Sequence, residues 1–249
     1  MTTFSRRGLH GHVVDVLGRR IMRGELVSGD IIDPDALLTE FQVSRTVMRE
    51  AIKVLTTKGL VDARPRLGTY VTERERWQLL DGDVMTWRSE GVPEPLLVLE
   101  LSEVRQVLEP AAARLAAVRR TKEQCAAIET AMTALAATFV STEAESHAAA
   151  DLVFHRAVLA ASGNELLARF EVVLEPALQA RNQIAFKNET TTQFLDSHRA
   201  VVDAIVAQDA DRAHAAMTTL MTQSAADSDA IVSSDDDGAA LVAKRTRAL

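Results

Sequence analysis

Residues 40–60, EFQVSRTVMREAIKVLTTKGL, decide the fold of the first part of this chain. Ser44 is a good N-cap and Gly59 is well placed as a C-cap. Between them, apolar residues recur at spacings of three and four, which is the period of an α-helix. The stretch therefore predicts an amphipathic helix over residues 45–58, whose buried side comprises Val47, Met48, Ala51, Val54 and Leu55.

Two helices are predicted before this one and a hairpin after it. The first would end at Gly24, and the second would begin with Asp33 as N-cap and Pro34 at its first helical position. Residues 60–71, LVDARPRLGTYV, are two short β-prone runs around a Pro-Arg-Leu-Gly turn. Three short helices followed by a hairpin predict a winged helix-turn-helix over residues 1–75.

In a winged helix-turn-helix the third helix enters the major groove of DNA with its N-terminal residues facing the bases. The basic residues of the predicted third helix lie at i, i+4 and i+8 on its outer face, and hydroxyl groups at its start can meet phosphate. The alternative is that these basic residues are only the solvated face of an amphipathic helix. The helix-turn-helix and the wing predicted around this helix favour a DNA-binding role instead. The predicted DNA contacts are Ser44, Arg45, Thr46, Arg49, Lys53, Arg64, Arg66 and Gly68.

The composition describes a folded protein with an uneven distribution of charge. Of its 249 residues, 47% are hydrophobic and 25% are charged, which argues against disorder as the default state. The net charge is −7, yet residues 1–76 carry 13 Lys and Arg against 10 Asp and Glu. The lone Cys125 excludes an internal disulfide framework. No apolar segment follows the first residues and no run reaches the roughly 18 residues of a membrane span, so we expect a cytoplasmic protein.

The rest of the chain predicts a mainly α protein with a second, all-helical domain. Residues 76–92 are predicted to be a linker, residues 93–226 a helical bundle for effector binding and dimerisation, and residues 227–249 a disordered tail. The expected helices span about residues 95–118, 121–140, 143–161, 164–187, 191–208 and 209–224.

Asp151 and His155 are four residues apart and project from one face of a helix. An imidazole and a carboxylate at this spacing suit a divalent metal such as zinc, nickel or manganese, and His198 on another helix could add a third ligand. The alternative is that His155 is a buried histidine whose nitrogens are satisfied by hydrogen bonds. Judged from the residues alone, this arrangement is commoner than a metal ligand. A metal-dependent enzyme is another alternative, but no paired acid and base and no Ser or Cys nucleophile accompanies these residues.

The N-terminal motif resembles the GntR family of bacterial transcription regulators. The resemblance lies in residues 40–60 together with residues 64–71, RPRLGTYV, and the pattern Val-Ser-Arg-Thr-x-x-Arg-Glu-Ala is specific. It implies that Arg45 and Arg49 read bases, that Ser44 and Thr46 contact phosphate or bases, and that Gly68 lies at the wing tip. The start of the predicted second helix, Pro34-Asp-Ala-Leu, departs from the family pattern.

Three later stretches resemble the FadR subfamily, whose C-terminal domain is a helical ligand-binding and dimerisation module. They are residues 102–110 (SEVRQVLEP), 150–159 (ADLVFHRAVL) and 198–205 (HRAVVDAI). The resemblance implies metal-ligand roles for Asp151, His155 and His198. A further histidine is usual 22 residues after His198, where this chain has Leu220, so a weakened metal site, one completed by water or effector, and no metal at all are the options.

The same resemblance implies that Arg105 faces a ligand cavity and pairs with a carboxylate, because its guanidinium offers a fixed fork of donors. A surface salt bridge to Glu103 or Glu109 is the alternative. Three polar residues of a largely apolar helix are lesser candidates for effector binding: Gln179, Arg181 and Asn182.

Residues 76–87, RWQLLDGDVMTW, resemble a stretch found in regulators of sugar-acid catabolism. We therefore expect a homodimeric repressor that binds palindromic operator DNA and is released by a sugar acid such as gluconate or galactonate. A regulator that senses a fatty acyl or dicarboxylic acid is an alternative from the same class.

Overall fold

A computed structural model describes residues 8–66, 68–90, 95–141, 144–175 and 191–233. Over these residues the chain forms α-helices and one small sheet, in two units that divide after Glu90. The fold is mainly α, with a helix-turn-helix and sheet followed by a helical bundle, as the sequence predicts. None of the described helices is long and apolar enough to cross a membrane.

The predicted capping residues border the second and third helices, and the first helix ends two residues before Gly24. Asp33 caps the second helix by accepting a hydrogen bond from the backbone N–H of Asp35, with Pro34 at the first position. The third helix ends just before Gly59, whose φ of +76° favours glycine; a Cβ there would also overlap the carbonyl oxygen of Arg76. These helices are α1 (Gly8–Met22), α2 (Pro34–Phe41) and α3 (Arg45–Thr57).

The sheet has one strand more than the sequence predicts. The expected hairpin consists of β2 (Val61–Arg64) and β3 (Gly68–Val71), and β1 (Ile31–Ile32) pairs antiparallel with the other edge of β3. Ile31 lies opposite Tyr70 in this pairing. A strand of two residues is too short to show the apolar alternation by which strands are recognised.

A fourth helix, α4 (Gly82–Ser89), lies within the segment that the sequence leaves as a linker. Asp81 caps it by accepting hydrogen bonds from the backbone N–H groups of Asp83 and Val84. Its residues Val84 and Trp87 are buried with the apolar residues of α1 and α3. Residues 82–89 therefore contribute to the core of the N-terminal unit.

Six helices of the C-terminal unit lie wholly within the described residues. They are α5 (Pro95–Arg119), α6 (Lys122–Ser141), α7 (Ala144–Ala161), α8 (Glu165–Ala168), α9 (Thr191–Val206) and α10 (Ala210–Val232). The continuous helix expected over residues 164–187 is wrong, because α8 ends in a turn where the N–H of Arg169 bonds the carbonyls of Glu165 and Leu166. Residues 171–175 are helical again, and residues 176–190 lie outside the described residues.

The last described helix extends into the segment predicted to be a disordered tail. Val232, near its end, is buried against Val98 and Leu99 of α5. This packing explains why α10 does not end near residue 224, since burial of an apolar side chain stabilises the added turns. Residues 234–249, the remainder of the predicted tail, lie outside the described residues.

Candidate functional site

The exposed face of α3 carries the basic residues that the sequence assigns to DNA. Met48, Ala51 and Leu55 are buried, whereas Arg45, Thr46, Arg49 and Lys53 are exposed. Ser44 caps the helix, because its Oγ accepts a hydrogen bond from the backbone N–H of Val47 at 3.3 Å. The face is therefore available to a large partner, and its assignment to DNA contacts stays a prediction for each residue.

Arg45 is held near the start of α2. Its Nη2 lies 3.2 Å from Oδ1 of Asp35, and both side chains are largely exposed. An exposed ion pair of this kind adds little stability. Asp35 belongs to the Pro34-Asp-Ala-Leu sequence that departs from the family pattern, so this chain places an acidic side chain beside a predicted base-reading arginine.

The tip of the hairpin is exposed and carries two arginines. The guanidinium of Arg64 stacks on the ring of Tyr70, 4.8 Å from the ring centroid. Arg66 has a φ of +68°, in the left-handed region, and its side chain is exposed. Gly68, at φ +91°, begins β3, and a Cβ there would meet nothing within 4 Å. The wing thus presents Arg66 outward, and its contact with DNA stays a prediction.

In the C-terminal unit, α7 and α9 bring Asp151, His155 and His198 together. One ligand atom from each of the three lies within 4.8 Å of the others, and all three side chains are buried. Oδ1 of Asp151 lies 3.0 Å from Nε2 of His198 and 3.4 Å from Nε2 of His155. The predicted ligands thus converge, although His198 is 47 residues from Asp151 in the sequence.

The outer nitrogen of each imidazole has its own partner. Nδ1 of His198 donates a hydrogen bond to the backbone carbonyl of Phe194 at 2.8 Å. Nδ1 of His155 lies against Oε2 of Glu109 as a close ion pair without hydrogen-bond geometry. Metal-binding histidines in proteins nearly always donate their second N–H to a carbonyl or a carboxylate, as Nδ1 of His198 does here, which fixes the orientation of the ring.

Arg105 lies against this cluster rather than on the surface. Its side chain and that of Glu109 are 5% and 3% exposed, and Nε of Arg105 donates to Oε1 of Glu109 at 2.6 Å. The alternative of a salt bridge to Glu109 is therefore right about the partner but wrong about the surface, because the ion pair is buried. Nη2 of Arg105 also lies 3.2 Å from Nε2 of His155, and Nη1 lies 3.4 Å from Oγ of Ser224.

Burial and charge compete in setting the pKa values of the cluster. Burial alone would raise the pKa of Glu109, but Arg105 and His155 outweigh it and lower the value to about 2. In the same way His155 and His198 hold the pKa of Asp151 well below its ordinary value. Burial lowers the pKa of His198. Burial would lower the pKa of His155 too, but the carboxylates of Glu109 and Asp151 outweigh burial and raise it.

The three residues fit a divalent metal. The buried carboxylate of Asp151 and the Nε2 atoms of both histidines face one point, and the Nδ1 atoms are already engaged elsewhere. Two imidazoles and a carboxylate are a usual donor set for zinc and related ions. Leu220 is buried in the apolar core with Phe154 and Met217, so it offers no ligand. The position of the family's fourth ligand is thus filled by a hydrocarbon side chain.

Sequence reasoning missed two polar partners of the cluster, and three of the residues it predicted lie outside the described part of the chain. Glu109 appeared only as a surface partner of Arg105, although its spacing of four residues from Arg105 and its place before Pro110 were visible. Ser224 gave no signal, because a lone serine in a helix is unremarkable. The predicted effector contacts Gln179, Arg181 and Asn182 lie outside the described residues.

Comparison with known proteins shows the family. Residues 9–71 match the bacterial regulatory proteins of the gntR family, and residues 100–223 match the FCD domain. The galactonate operon transcriptional repressor of Escherichia coli (strain K12) is 34% identical over 215 residues, which cover 85% of this chain and 93% of the repressor. This chain belongs to the gntR family of bacterial regulatory proteins.

Further similarities agree with this assignment. The HTH-type transcriptional regulator LutR of Bacillus subtilis (strain 168) is 34% identical over 214 residues, covering 81% of this gntR-family chain and 93% of LutR. Among solved structures, one similar protein is Lar, which controls the expression of the Listeria monocytogenes agr system. The alignment covers 91% of this chain and 98% of Lar, with a TM-score of 0.62 and 18% sequence identity. This similarity shows that the two proteins share a fold. The identification from sequence as a GntR-family, FadR-like, DNA-binding transcriptional regulator is confirmed.

Proposed function

We propose that this gntR-family regulator is a homodimeric repressor of an operon for sugar-acid breakdown, released from its operator by the sugar acid itself. The observation that carries the proposal is the buried cluster of Arg105, Asp151, His155 and His198 in the unit that matches the FCD domain. A structural core rarely places a guanidinium and three metal-type ligands together without a function for them.

The chemistry of the cluster suits an organic acid. Guanidinium binds carboxylate through two parallel hydrogen bonds, and a divalent cation accepts carboxylate and hydroxyl oxygens as ligands. A sugar acid offers a carboxylate with a hydroxyl on the adjacent carbon and can meet both groups at once. The similarity to a repressor of the galactonate operon supports galactonate or gluconate as the first compounds to test.

In this proposal Asp151, His155 and His198 hold a zinc, nickel or manganese ion. Because Leu220 contributes no ligand, part of the coordination shell is left to water or to oxygen atoms of the effector. The ion would polarise the bound oxygen atoms as a Lewis acid. Gln179, Arg181 and Asn182 remain candidates for contacts to the hydroxyl groups.

The DNA-binding half of the proposal assigns base contacts to Arg45 and Arg49 and backbone contacts to Ser44, Thr46, Lys53 and the wing. Two copies would place two α3 helices in successive major grooves, so we propose a short palindromic operator. The exposure of the basic residues on α3 and of Arg66 on the wing supports this arrangement.

The test is a gel-shift titration with operator fragments selected from random DNA by the purified protein. We expect galactonate or gluconate to release the DNA at concentrations at which succinate and a fatty acyl ester do not. Release by succinate alone, or by the acyl ester alone, would replace the sugar acid with a dicarboxylic or fatty acyl effector. Failure to select any DNA sequence would contradict the role of α3.

A further inference from the structure

The guanidinium of Arg105 makes three contacts, and each uses a different nitrogen. Nε donates to Oε1 of Glu109 at 2.6 Å, Nη1 faces Oγ of Ser224 at 3.4 Å, and Nη2 lies 3.2 Å from Nε2 of His155. The first contact is short and charged on both sides, whereas the other two are longer. The Nη edge is therefore the weakly held part of this side chain.

The contact with His155 determines the form of its imidazole. A guanidinium can only donate hydrogen bonds, so Arg105 can bond Nε2 only of the neutral imidazole, in which Nδ1, facing Oε2 of Glu109, carries the proton. This is the tautomer in which a histidine binds a metal through Nε2. A cation would therefore bind the same Nε2 lone pair that accepts the hydrogen bond from Arg105.

We propose that the guanidinium of Arg105 and a divalent cation are alternative partners of His155 Nε2, so that cation binding frees the Nη edge of Arg105 for the carboxylate of an effector. A neutral imidazole has a single lone pair on this atom, and it cannot serve both partners at once. Arg105 would keep its Nε contact with Glu109 while the Nη edge turns away. The inference deepens the proposed function, because it makes the cation a condition for carboxylate binding.

The charges of the cluster favour the same coupling. Arg105, Glu109 and Asp151 together carry one net negative charge, and a divalent cation converts it into one net positive charge. Excess positive charge is costly in a site this buried, and a monocarboxylate removes it. Cation and carboxylate should therefore each strengthen the binding of the other.

The experiment measures binding of Co²⁺ alone, by the visible absorption of the coordinated ion, to full-length protein freed of metal by a chelator. If Arg105 competes for Nε2, Arg105→Gln should bind Co²⁺ roughly tenfold more tightly than the wild type, a coupling of the usual size. A purely structural role for Arg105 predicts the opposite, since loss of a buried partner loosens the site. Equal or weaker binding by Arg105→Gln would overturn the proposal.

Matched variants keep the test decisive if Arg105→Gln does not fold. The double variant Arg105→Gln, Glu109→Gln removes the buried pair as a whole and leaves the net charge of these groups unchanged. It should bind Co²⁺ more tightly than Glu109→Gln, which retains the competing guanidinium; a double variant no tighter than Glu109→Gln would refute competition. Ser224→Ala removes only the contact with Nη1 of Arg105. Its affinity for Co²⁺ should lie between that of the wild type and that of Arg105→Gln.

A second titration uses galactonate as the probe, with and without Co²⁺. We expect Co²⁺ to raise the affinity of the wild type for galactonate, and galactonate to raise the affinity for Co²⁺ by the same factor. If Arg105→Gln tightens Co²⁺ binding but galactonate does not bind, the competition stands and the choice of effector in the proposed function fails. If galactonate binds equally well with and without Co²⁺, the coupling between cation and carboxylate is refuted, while the proposal that galactonate is the effector is unaffected.

Discussion

The indole ring of Trp87 in α4 lies directly against Gly18 in α1, and its Nε1 donates a hydrogen bond to Oδ1 of Asp15 at 2.8 Å. A Cβ at position 18 would overlap the ring, so a glycine is required for this close approach. Trp87 is 3% exposed and packs in the same core as Leu17 and Leu55. The contact packs α4, which lies outside the helix-turn-helix motif, against α1 of the N-terminal unit.

We predict that Gly18→Ala lowers the free energy of unfolding of the N-terminal unit by about 1–3 kcal/mol, the usual cost of overpacking a core. Both tryptophans, Trp77 and Trp87, belong to this unit, so tryptophan fluorescence during urea unfolding reports on it alone. The double variant Gly18→Ala, Trp87→Leu should lose less than the two single changes combined, because the smaller side chain leaves room for the methyl group. Strict additivity would show that the two residues do not interact.

The second prediction concerns base reading by α3. Arg49→Ala should weaken binding to the selected operator by roughly 1–3 kcal/mol per half-site while binding to unrelated DNA changes little. Gel-shift titration at one salt concentration measures both affinities. Arg23→Ala removes the same charge from the exposed turn after α1 and should leave the ratio of the two affinities unchanged. Unchanged operator affinity in an Arg45→Ala, Arg49→Ala double variant would show that α3 does not read the operator.

The third prediction concerns the wing. Arg66→Ala should weaken binding to all DNA sequences alike and reduce the slope of log affinity against log salt by about 1 for each phosphate contact that is lost. Because Arg66 has a φ of +68°, Arg66→Gly should lose the same DNA affinity without the backbone strain of alanine. A loss confined to the operator would instead indicate that Arg66 contacts a base.

The fourth prediction follows from the buried carboxylates. The pKa of Glu109 is lowered from 4.5 to about 2, so its ionised form stabilises the folded state above pH 4.5 by roughly 3 kcal/mol, and this stabilisation is lost as the pH falls toward 2. Asp151 acts in the same direction. Scanning calorimetry of the wild type between pH 7 and pH 3 should show the C-terminal unit melting earlier as the pH drops below about 4.5.

Glu109→Gln provides the comparison for that experiment. The variant should be less stable than the wild type at pH 7, because Arg105 then lies buried without its carboxylate. The difference should shrink as the pH falls through the same window. A constant difference from pH 7 to pH 3 would show that Glu109 is not the titrating group.

The fifth prediction concerns the missing fourth ligand. Leu220→His should lower the stability of the metal-free protein, because Leu220 is buried in the apolar core, and added Zn²⁺ should restore it by binding the folded state. Leu220→Gln introduces a polar group that is a poor zinc ligand and should be destabilised without rescue. Metal analysis that finds one tightly bound ion per wild-type chain would show that another group replaces the histidine.

The local structure of the N-terminal unit could be predicted from sequence because local rules decide it. Ser44 and Asp33 cap their helices, Gly59 ends α3, and the apolar spacing identifies the buried face of α3. The same spacing rule also found the helices of the C-terminal unit to within a few residues, apart from the break after α8 and the extension of α10. Each of these features depends on residues only a few positions apart.

The sequence also singled out Asp151, His155 and His198, two of them by their spacing on one helix. What only the tertiary structure decided is the arrangement around them: β1 beside β3, Trp87 on Gly18, and the buried pair of Arg105 and Glu109 against His155. These contacts join residues far apart in the chain or depend on burial, which no local pattern encodes. Whether Arg105 is a surface cation or the partner of a metal-type imidazole was therefore settled by the packing of α5 against α7 and α10, and not by its neighbours in the sequence.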